Sequence, residues 1–321
     1  MRSIRNFYSV ICILIFTQAS LFSWFNVSSQ HRQGNYYIDA RTPEGLREMF
    51  RYTGDSVSFL SCHRGGPEKN LSENCIATFN NTLKHTYAII EIDPRYTKDS
   101  IIIVHHDPTL SRTTNGKGSV SDFTYNELKE LRLKDLEGKI TDYNIQTLAE
   151  MLEWAKGKTI LVLDKKDVPI EARIKMVEDY DAEAYAIVMA YTFDEAQIGY
   201  RLNKNILMQV FINSPEKVQE FDKTGVPWEN IVAFVGHNMP DDPSLFKLIH
   251  QKGALCIVGT SRNLDPLLLS GGNGKDISEQ YMKIYRAGAD ILETDIPVPL
   301  SKLIKNRLSS ETYISKFLSS Q

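Results

Sequence analysis

The sequence predicts an α/β protein, a closed (β/α)8 or TIM barrel. Short apolar runs alternate with amphipathic segments from residue 57 towards the C-terminus. Most of these runs are apolar along their whole length, which is typical of parallel strands buried on both faces. Eight such runs fall within about 250 residues, the usual size of this barrel. An open doubly wound sheet is the structural alternative.

Strands and helices are predicted to alternate after an initial helical candidate at Pro43–Tyr52. The predicted main strands are Val57–Cys62, Ala88–Pro94, Thr159–Leu163, Tyr185–Ala190, Ile206–Phe211, Ile231–Val235, Ala254–Val258 and Asp290–Leu292, with Ile101–Val104 as a short companion of the second. The predicted helices are 73–84, 125–133, 147–156, 169–181, 193–203, 214–223, 243–252, 277–288 and 299–307.

Residues 1–30 have the pattern of a secretory signal peptide. Arg2 and Arg5 precede an apolar run from Tyr8 to Phe25, and Thr17-Gln18-Ala19 is a candidate cleavage site. A retained membrane anchor is the alternative, and both predict an exported protein, periplasmic or extracellular. The predicted divisions are 1–30 signal peptide or anchor, 31–55 N-terminal extension, 56–310 barrel domain and 311–321 C-terminal tail.

Composition excludes some classes of function. The net charge of −3 gives no reason to expect a nucleic-acid partner, since a protein that binds a polyanion normally has a basic face. Cys62, Cys75 and Cys256 remain after the predicted signal peptide, an odd number with no close pair. This spacing fits neither a disulfide framework nor a thiolate zinc site, so we interpret the three as small buried residues.

Three carboxylates fall at the ends of neighbouring predicted strands. Glu91 and Asp93 stand two apart on an otherwise apolar strand and therefore share one face of it. Asp164 ends the next main strand. Because active sites of these barrels gather at the carboxyl ends of the strands, the three should meet there. Their mutual repulsion favours one hard divalent cation with oxygen ligands, Ca²⁺ or Mg²⁺.

Two histidines can move protons beside these carboxylates. His63 follows the first main strand directly, and His106 precedes an Asp-Pro turn. Cleavage of a phosphodiester needs a base for the attacking oxygen and an acid for the leaving alcohol. Arg64 offers a bidentate fork to the phosphoryl oxygens, and Lys166 offers a point charge. The hypothesis is a metal-dependent phosphodiesterase.

The remaining histidines are interpreted as structural. His105 is the difficult case, because it neighbours His106 and only one of two consecutive strand residues can face the site. The Asp-Pro turn favours His106. The histidines interpreted as structural are His31, His85, His105, His237 and His250.

These motifs resemble those of the glycerophosphodiester phosphodiesterase family. The family pattern runs His-Arg-Gly, Pro-Glu-Asn-Thr, Glu-x-Asp and His-Asp-x-x-Leu-x-Arg-Thr-Thr. Its counterparts here are His63-Arg64-Gly65, Ser72-Glu73-Asn74-Cys75, Glu91-Ile92-Asp93 and His106 to Thr114. The resemblance continues at Gln146–Glu150, Leu163–Lys166 and 288–297, and it covers residues 57–304.

The resemblance implies a phosphodiesterase-type TIM barrel that hydrolyses a small glycerophosphodiester to glycerol 3-phosphate and an alcohol. It implies one divalent cation held by Glu91, Asp93 and Asp164, with His63 and His106 as the acid/base pair. Glu73 matches the motif glutamate of the family, which we place beside the metal ligands as an orienting group.

Three departures from the family pattern stand out. Ser72 and Cys75 replace the Pro and Thr that flank Glu-Asn, which alters the start of the helix but no expected metal ligand. Asp164 stands where many members have Glu, so its reach is one methylene shorter. Val258–Asn263 lacks the Trp often found before Thr260, which concerns the pocket for the alcohol.

Two alternative functions are compatible with the same barrel. A phospholipase D or sphingomyelinase-like lipid phosphodiesterase should show an exposed apolar rim near the barrel mouth, for which Leu264–Leu269 is the candidate. A non-catalytic ligand-binding relative should lack a histidine or a metal carboxylate, and none is missing. Membrane contact is otherwise expected only through an uncleaved N-terminal segment.

Overall fold

The computed structural model describes residues 35–55, 57–271, 273–304 and 313–320. The predicted signal peptide or anchor at 1–30 lies outside them. Among the residues described, no helix is both long and apolar enough to cross a membrane.

The described residues form strands and helices in regular alternation. The strands are β1 (Tyr36–Ile38), β2 (Phe59–Cys62), β3 (Ala88–Ile92), β4 (Pro94–Tyr96), β5 (Ile102–Val104), β6 (Ile160–Leu163), β7 (Ala186–Ala190), β8 (Leu207–Phe211), β9 (Ile231–Gly236), β10 (Cys256–Gly259), β11 (Ile291–Thr294) and β12 (Leu318–Ser320). The helices are α1 (Pro43–Met49), α2 (Ile76–Leu83), α3 (Tyr125–Leu128), α4 (Leu148–Ala155), α5 (Ile170–Asp179), α6 (Phe193–Leu202), α7 (Pro215–Asp222), α8 (Ser244–Gln251), α9 (Leu264–Leu269), α10 (Gly274–Ala287) and α11 (Pro297–Ile304).

Eight parallel strands close into a barrel, as predicted. The order around it is β2, β3, β6, β7, β8, β9, β10 and β11, and β11 pairs with β2. Every residue of β2, β3, β6 and β7 is buried, because side chains fill the barrel on one face and pack against helices on the other. This closure excludes the open doubly wound sheet.

Several boundaries differ from the prediction. The helix predicted at 73–84 begins only at Ile76, because Asn74 adopts a left-handed backbone with φ of 54°. The helix predicted at 125–133 ends at Leu128, since Leu133 instead donates its backbone N–H to the carbonyl oxygen of Tyr143. Residues 305–307 of the last predicted helix lie outside the described part of the chain.

Some elements were not predicted at all. The short helix α9 fills part of the connection after β10, and α10 begins three residues before its predicted start at 277. The strand β1, in the predicted extension, pairs antiparallel with β12, in the predicted tail. A pairing between segments so far apart in sequence leaves no local pattern from which to predict it.

A buried arginine holds two strand ends at the barrel mouth. Arg173 of α5 is fully buried, and its guanidinium donates to the carbonyl oxygens of Leu163 at 3.0 Å, Met189 at 2.7 Å and Val168 at 3.1 Å. Leu163 ends β6 and Met189 lies near the end of β7. Arg173 therefore fixes the strand end that carries Asp164.

Replacement of this arginine should destabilise the fold. Arg173→Met leaves buried carbonyl groups without donors, and we expect the free energy of unfolding to fall by about 3 kcal/mol. Chemical denaturation measures the change. The control is Arg201→Met on the exposed surface of α6, where we expect a change within about 0.5 kcal/mol. Equal losses in the two variants would contradict the proposed bracing role.

Candidate active site

A cleft of about 1030 Å³ lies at the carboxyl ends of the barrel strands. It is the place where active sites of this fold are built. Most of the predicted site residues line it, while Asp93 is fully buried beside the cleft. Those that line it are His63, Arg64, Glu73, Glu91, His106, Asp164 and Lys166.

The three predicted metal carboxylates lie together. Carboxylate oxygens of Glu91, Asp93 and Asp164 all lie within 4.8 Å of one another, and all three residues are buried. Strand register explains the grouping, because the pairing of β3 with β6 ends at Ile92 and Leu163, immediately before Asp93 and Asp164. Oxygen donors of this kind suit a hard divalent cation.

The carboxylates differ in their surroundings. Burial and the neighbouring charge of Asp93 raise the pKa of Glu91 well above its usual value. Burial also opposes ionisation of Asp93, but the charges of Lys166 and Arg64 outweigh it and lower its pKa. Lys166 Nζ lies 2.9 Å from Asp93 Oδ1 and also contacts Asp164. The positive charges of Lys166 and Arg64 therefore do not balance three ionised carboxylates.

Asn74 explains the late start of α2. Its side-chain amide donates to Asp93 Oδ2 at 2.6 Å and accepts from the backbone N–H of Asp93 at 3.2 Å. Asn74 therefore has a left-handed backbone, and its side chain orients the carboxylate of Asp93. Tyr191, at the end of β7, donates its hydroxyl to Asp164 in the same way.

The turn after β2 carries His63 and Arg64. Arg64 has φ of 52°, and its backbone N–H donates to Glu91 Oε2 at 2.9 Å. Gly65 also has a positive φ, of 86°, and a Cβ there would lie 2.2 Å from the ring of Phe79. Only glycine fits this approach, which gives the His-Arg-Gly motif a steric reason.

His63 is fixed by a carboxylate that directly follows β11. Its Nδ1 lies 2.6 Å from Asp295 Oδ1. Burial alone would lower the pKa of His63, but the hydrogen bond that its ring donates to Asp295 and the charge of Glu91 outweigh burial and raise the pKa to about 9. Within the described residues its Nε2 has no hydrogen-bond partner, and the ring lines the cleft.

His106 is held in the same manner but has the opposite pKa shift. Its Nδ1 lies 2.7 Å from Asp107 Oδ1, and burial lowers its pKa despite the charges of Asp93 and Asp107. No residue of the described ranges bonds its Nε2. The neighbouring His105 is buried and directs Nε2 to the carbonyl oxygen of Thr109 at 3.2 Å, so only His106 lines the cleft.

Arg112 joins two acidic groups of the site. Its guanidinium donates to both oxygens of Glu73, at 2.8 and 2.7 Å, and to both oxygens of Asp107, at 2.6 and 2.8 Å. Glu73 also lies 3.3 Å from the guanidinium of Arg64. Glu73 therefore contacts two arginines, and Arg112 braces His106 through Asp107.

Glu293 was missed by the sequence interpretation. It lies on β11 with its side chain buried and lining the cleft, and its carboxylate forms no hydrogen bond or ion pair within the part of the chain described. Burial raises its pKa to about 7, against the lowering effect of His63. The sequence pattern gave no separate signal for this glutamate, because it directly precedes the Thr-Asp-Ile-Pro motif and reads as part of it.

The far wall of the cleft is aromatic. Ring centroids of Tyr191 and Phe211 lie 4.8 Å apart, and those of Phe211 and Phe234 lie 5.0 Å apart. His237, interpreted from sequence as structural, also lines the cleft and packs edge-on against Phe234 at 5.1 Å. Arg262 lines the cleft from the connection after β10, the region that lacks the family tryptophan.

The fold and the site together define a TIM barrel whose cleft brings two histidines beside a cluster of buried carboxylates. The profile of the Glycerophosphoryl diester phosphodiesterase family matches residues 63–265, more than half of the chain. The chain belongs to this family, which confirms the resemblance seen in its motifs.

Individual relatives agree with this assignment. A glycerophosphodiester phosphodiesterase of Caldanaerobacter subterraneus is 30% identical over 255 residues, which cover 77% of this chain and 98% of the relative. The crystal structure of a glycerophosphoryl diester phosphodiesterase from Parabacteroides distasonis matches with a TM-score of 0.86 and 38% identity, over 90% of this chain and 100% of that one.

A more distant structure shares the fold. An Oleispira antarctica phosphodiesterase, solved in complex with its product sn-glycerol-3-phosphate, matches with a TM-score of 0.58 and 19% identity. The alignment covers 77% of this chain and 96% of that one.

The pairing of His63 with Asp295 can be tested without any assay of activity. We expect Asp295→Asn to lower the pKa of His63 by about 1–2 units in the metal-free protein, because the amide cannot stabilise the imidazolium as a carboxylate does. Histidine ring signals followed by NMR across pH report the value. Asp107→Asn is the matched control and should lower the pKa of His106 instead. An unchanged His63 in Asp295→Asn would contradict the assignment.

Proposed function

We propose that the protein hydrolyses glycerophosphodiesters to glycerol 3-phosphate and an alcohol, with one divalent cation and with His63 and His106 as acid and base. The observation that carries the proposal is the meeting of the carboxylate cluster and both histidines at one cleft. Family membership supports the reaction class, and the arrangement of this chain's own groups supports the roles below.

The residues present fit a hard cation. Glu91, Asp93 and Asp164 offer oxygen atoms only, and all three are buried. Lys166 pairs with two of them, whereas the Glu91 carboxylate has no ion pair among the described residues. A bound Ca²⁺ or Mg²⁺ would balance this excess charge and withdraw electron density from the phosphoryl oxygens.

Two cationic side chains are assigned to the phosphate. Arg64 lies at the cleft wall, where its fork is held by Glu73 and its Nε lies 3.5 Å from Asp93. A planar guanidinium so fixed can donate two parallel hydrogen bonds to a phosphoryl group. Lys166 supplies a second positive charge on the other side of Asp93. Glu73 orients Arg64 and Arg112 and has no assigned contact with the substrate.

The opposite pKa shifts of the two histidines give each a separate role. His63, with its pKa raised to about 9, is protonated at neutral pH and can donate a proton from Nε2 to the leaving oxygen. His106, with its pKa lowered, is neutral and can accept a proton from the attacking hydroxyl at Nε2. Divergent pKa values of this kind distinguish acid from base. The same roles serve attack by water or by the adjacent glycerol hydroxyl.

Release of glycerol 3-phosphate tests the proposal directly. We expect release from glycerophosphocholine or glycerophosphoethanolamine with Ca²⁺ or Mg²⁺, and loss of activity when a chelator is added. His63→Ala and His106→Ala should each lower kcat by about 10²–10⁴-fold, the usual contribution of acid/base groups. His85→Ala, outside the cleft, is the matched control and should retain activity.

Two outcomes would contradict separate parts of the proposal. Full activity of His63→Ala or His106→Ala would remove the acid/base assignment. Activity that persists in chelator, after the metal has been dialysed away, would contradict the role of the cation. The proposed hydrolysis of glycerophosphodiesters would then stand without it.

A further inference from the structure

The helix α9 buries its charged residue and exposes two of its leucines. Asp265 is 1% exposed, whereas Leu267 and Leu269 of the same helix are 49% and 66% exposed. This is the reverse of the usual arrangement, because acidic side chains are almost never fully buried without a partner. Among the described residues no cationic side chain forms an ion pair with Asp265, and its partners are neutral donors. Hydrogen bonds to these donors must therefore offset the cost of burying the carboxylate.

The Asp265 carboxylate binds the end of β11 through one oxygen. Its Oδ2 accepts hydrogen bonds from the hydroxyl of Thr294 at 2.8 Å and from the backbone N–H of Asp295 at 2.7 Å. The Thr294 hydroxyl in turn accepts from the backbone N–H of Ile296 at 3.0 Å. The path of the chain as it leaves the strand is therefore tied to this one carboxylate.

The Asp265 side chain is itself held from two directions. Its Oδ1 accepts from the hydroxyl of Tyr281 at 2.7 Å, and Tyr281 is fully buried on α10. The backbone N–H of Asp265 donates to the carbonyl oxygen of Thr260 at 3.1 Å. Thr260 then donates its own backbone N–H to the carbonyl oxygen of Glu293 on β11 at 2.8 Å. Asp265 is thus fixed relative to the strand whose end it binds.

The segment that Asp265 holds carries the anchor of His63. Asp295 Oδ1 lies 2.6 Å from Nδ1 of His63, and this bond fixes the ring at the cleft. The side chain of Asp295 is 41% exposed, so packing alone does little to orient it. The hydrogen bond between its backbone and Asp265 therefore helps to determine where the Asp295 carboxylate lies.

We propose that Asp265 is a positioning residue for His63. Asp265 does not line the cleft. By fixing the backbone of Asp295 it holds that carboxylate against Nδ1 of His63, which leaves Nε2 placed to meet the leaving oxygen. This inference rests on the proposed function, in which His63 is the acid, and it adds a residue outside the cleft to that role. The alternative is that Asp265 only ties α9 to the barrel.

The pKa of His63 reports the position of its anchor without an assay of activity. In the metal-free protein, Asp265→Ala should lower this pKa by about 1 unit, because a displaced Asp295 stabilises the imidazolium less. Asp265→Asn should keep it within about 0.3 unit, since the amide oxygen can still accept from the end of β11 while the amide nitrogen donates to the Tyr281 hydroxyl. Histidine ring signals followed by NMR across pH measure both values.

The matched control is a second buried carboxylate, at the opposite end of β11. Asp290 is 3% exposed, and its Oδ2 lies 2.8 Å from Nε2 of His250 and accepts from the backbone N–H of Cys256 at 2.7 Å. Asp290→Ala should lower the midpoint of chemical denaturation as Asp265→Ala does, but it should leave the pKa of His63 within about 0.2 unit. A purely structural role of Asp265 would give the two variants the same result for His63.

Kinetics on glycerophosphocholine give a second measurement. Asp265→Ala should lower kcat about tenfold and leave KM within about threefold, because the acid is displaced while Arg64 and Lys166, assigned to the phosphate, lie outside this network. The loss of activity at high pH, where His63 gives up its proton, should move to lower pH in this variant, since the pKa of its acid is lower. Asp265→Asn should restore kcat to within about threefold of the wild type.

The outcomes separate this inference from the proposed function. If the wild type does not hydrolyse glycerophosphocholine, the proposed function fails, while the NMR comparison still decides whether Asp265 positions His63. A folded Asp265→Ala variant in which the pKa of His63 or kcat is unchanged would overturn the inference, and so would an equal fall of the pKa in Asp290→Ala.

A second variant serves if Asp265→Ala does not fold. Tyr281→Phe removes one hydrogen bond to the same carboxylate and keeps the aromatic ring in the core. It should lower the pKa of His63 by about 0.5 unit, because the Asp265 carboxylate is then held from one direction fewer. An unchanged pKa of His63 in Tyr281→Phe would overturn the inference in that case.

Discussion

The electrostatic repulsion within one buried cluster is the constraint on which the site depends. Glu91, Asp93 and Asp164 stand at the ends of two neighbouring strands because the barrel fixes the register of β3 against β6. Bare carboxylates at this separation would be costly to bury, since neither water nor sufficient positive charge compensates them. The contacts of Lys166 and Asn74 with Asp93 offset part of that free-energy cost.

The two histidines of the cleft have opposite pKa shifts although their side chains are identical. Each ring is anchored through Nδ1 to a carboxylate, so each directs Nε2 away from its anchor. Among the described residues, the Asp295 carboxylate bonds His63 alone, whereas Asp107 is shared between His106 and Arg112. Burial, together with the charges of Arg64 and Lys166, therefore outweighs Asp93 and Asp107 and lowers the pKa of His106.

Much of the barrel could be predicted from the sequence, because most strands are apolar along nearly their whole length and alternate with amphipathic helices. The site residues could be predicted where a polar group interrupts an apolar strand, as Glu91 does, or follows one directly, as His63 does. The contacts that could not be predicted join distant segments. Neither the hydroxyl of Tyr191 at Asp164 nor the late start of α2 has a signature in the local pattern.

Binding of a divalent cation is the most direct test of this account. Isothermal titration of the metal-free protein with Ca²⁺ and with Mg²⁺ should show one saturable site per chain for at least one of the ions. Glu91→Gln should abolish it without unfolding the protein, because this carboxylate has no ion pair to lose among the described residues. An absence of saturable binding in the wild type, or unchanged binding in Glu91→Gln, would contradict the central claim.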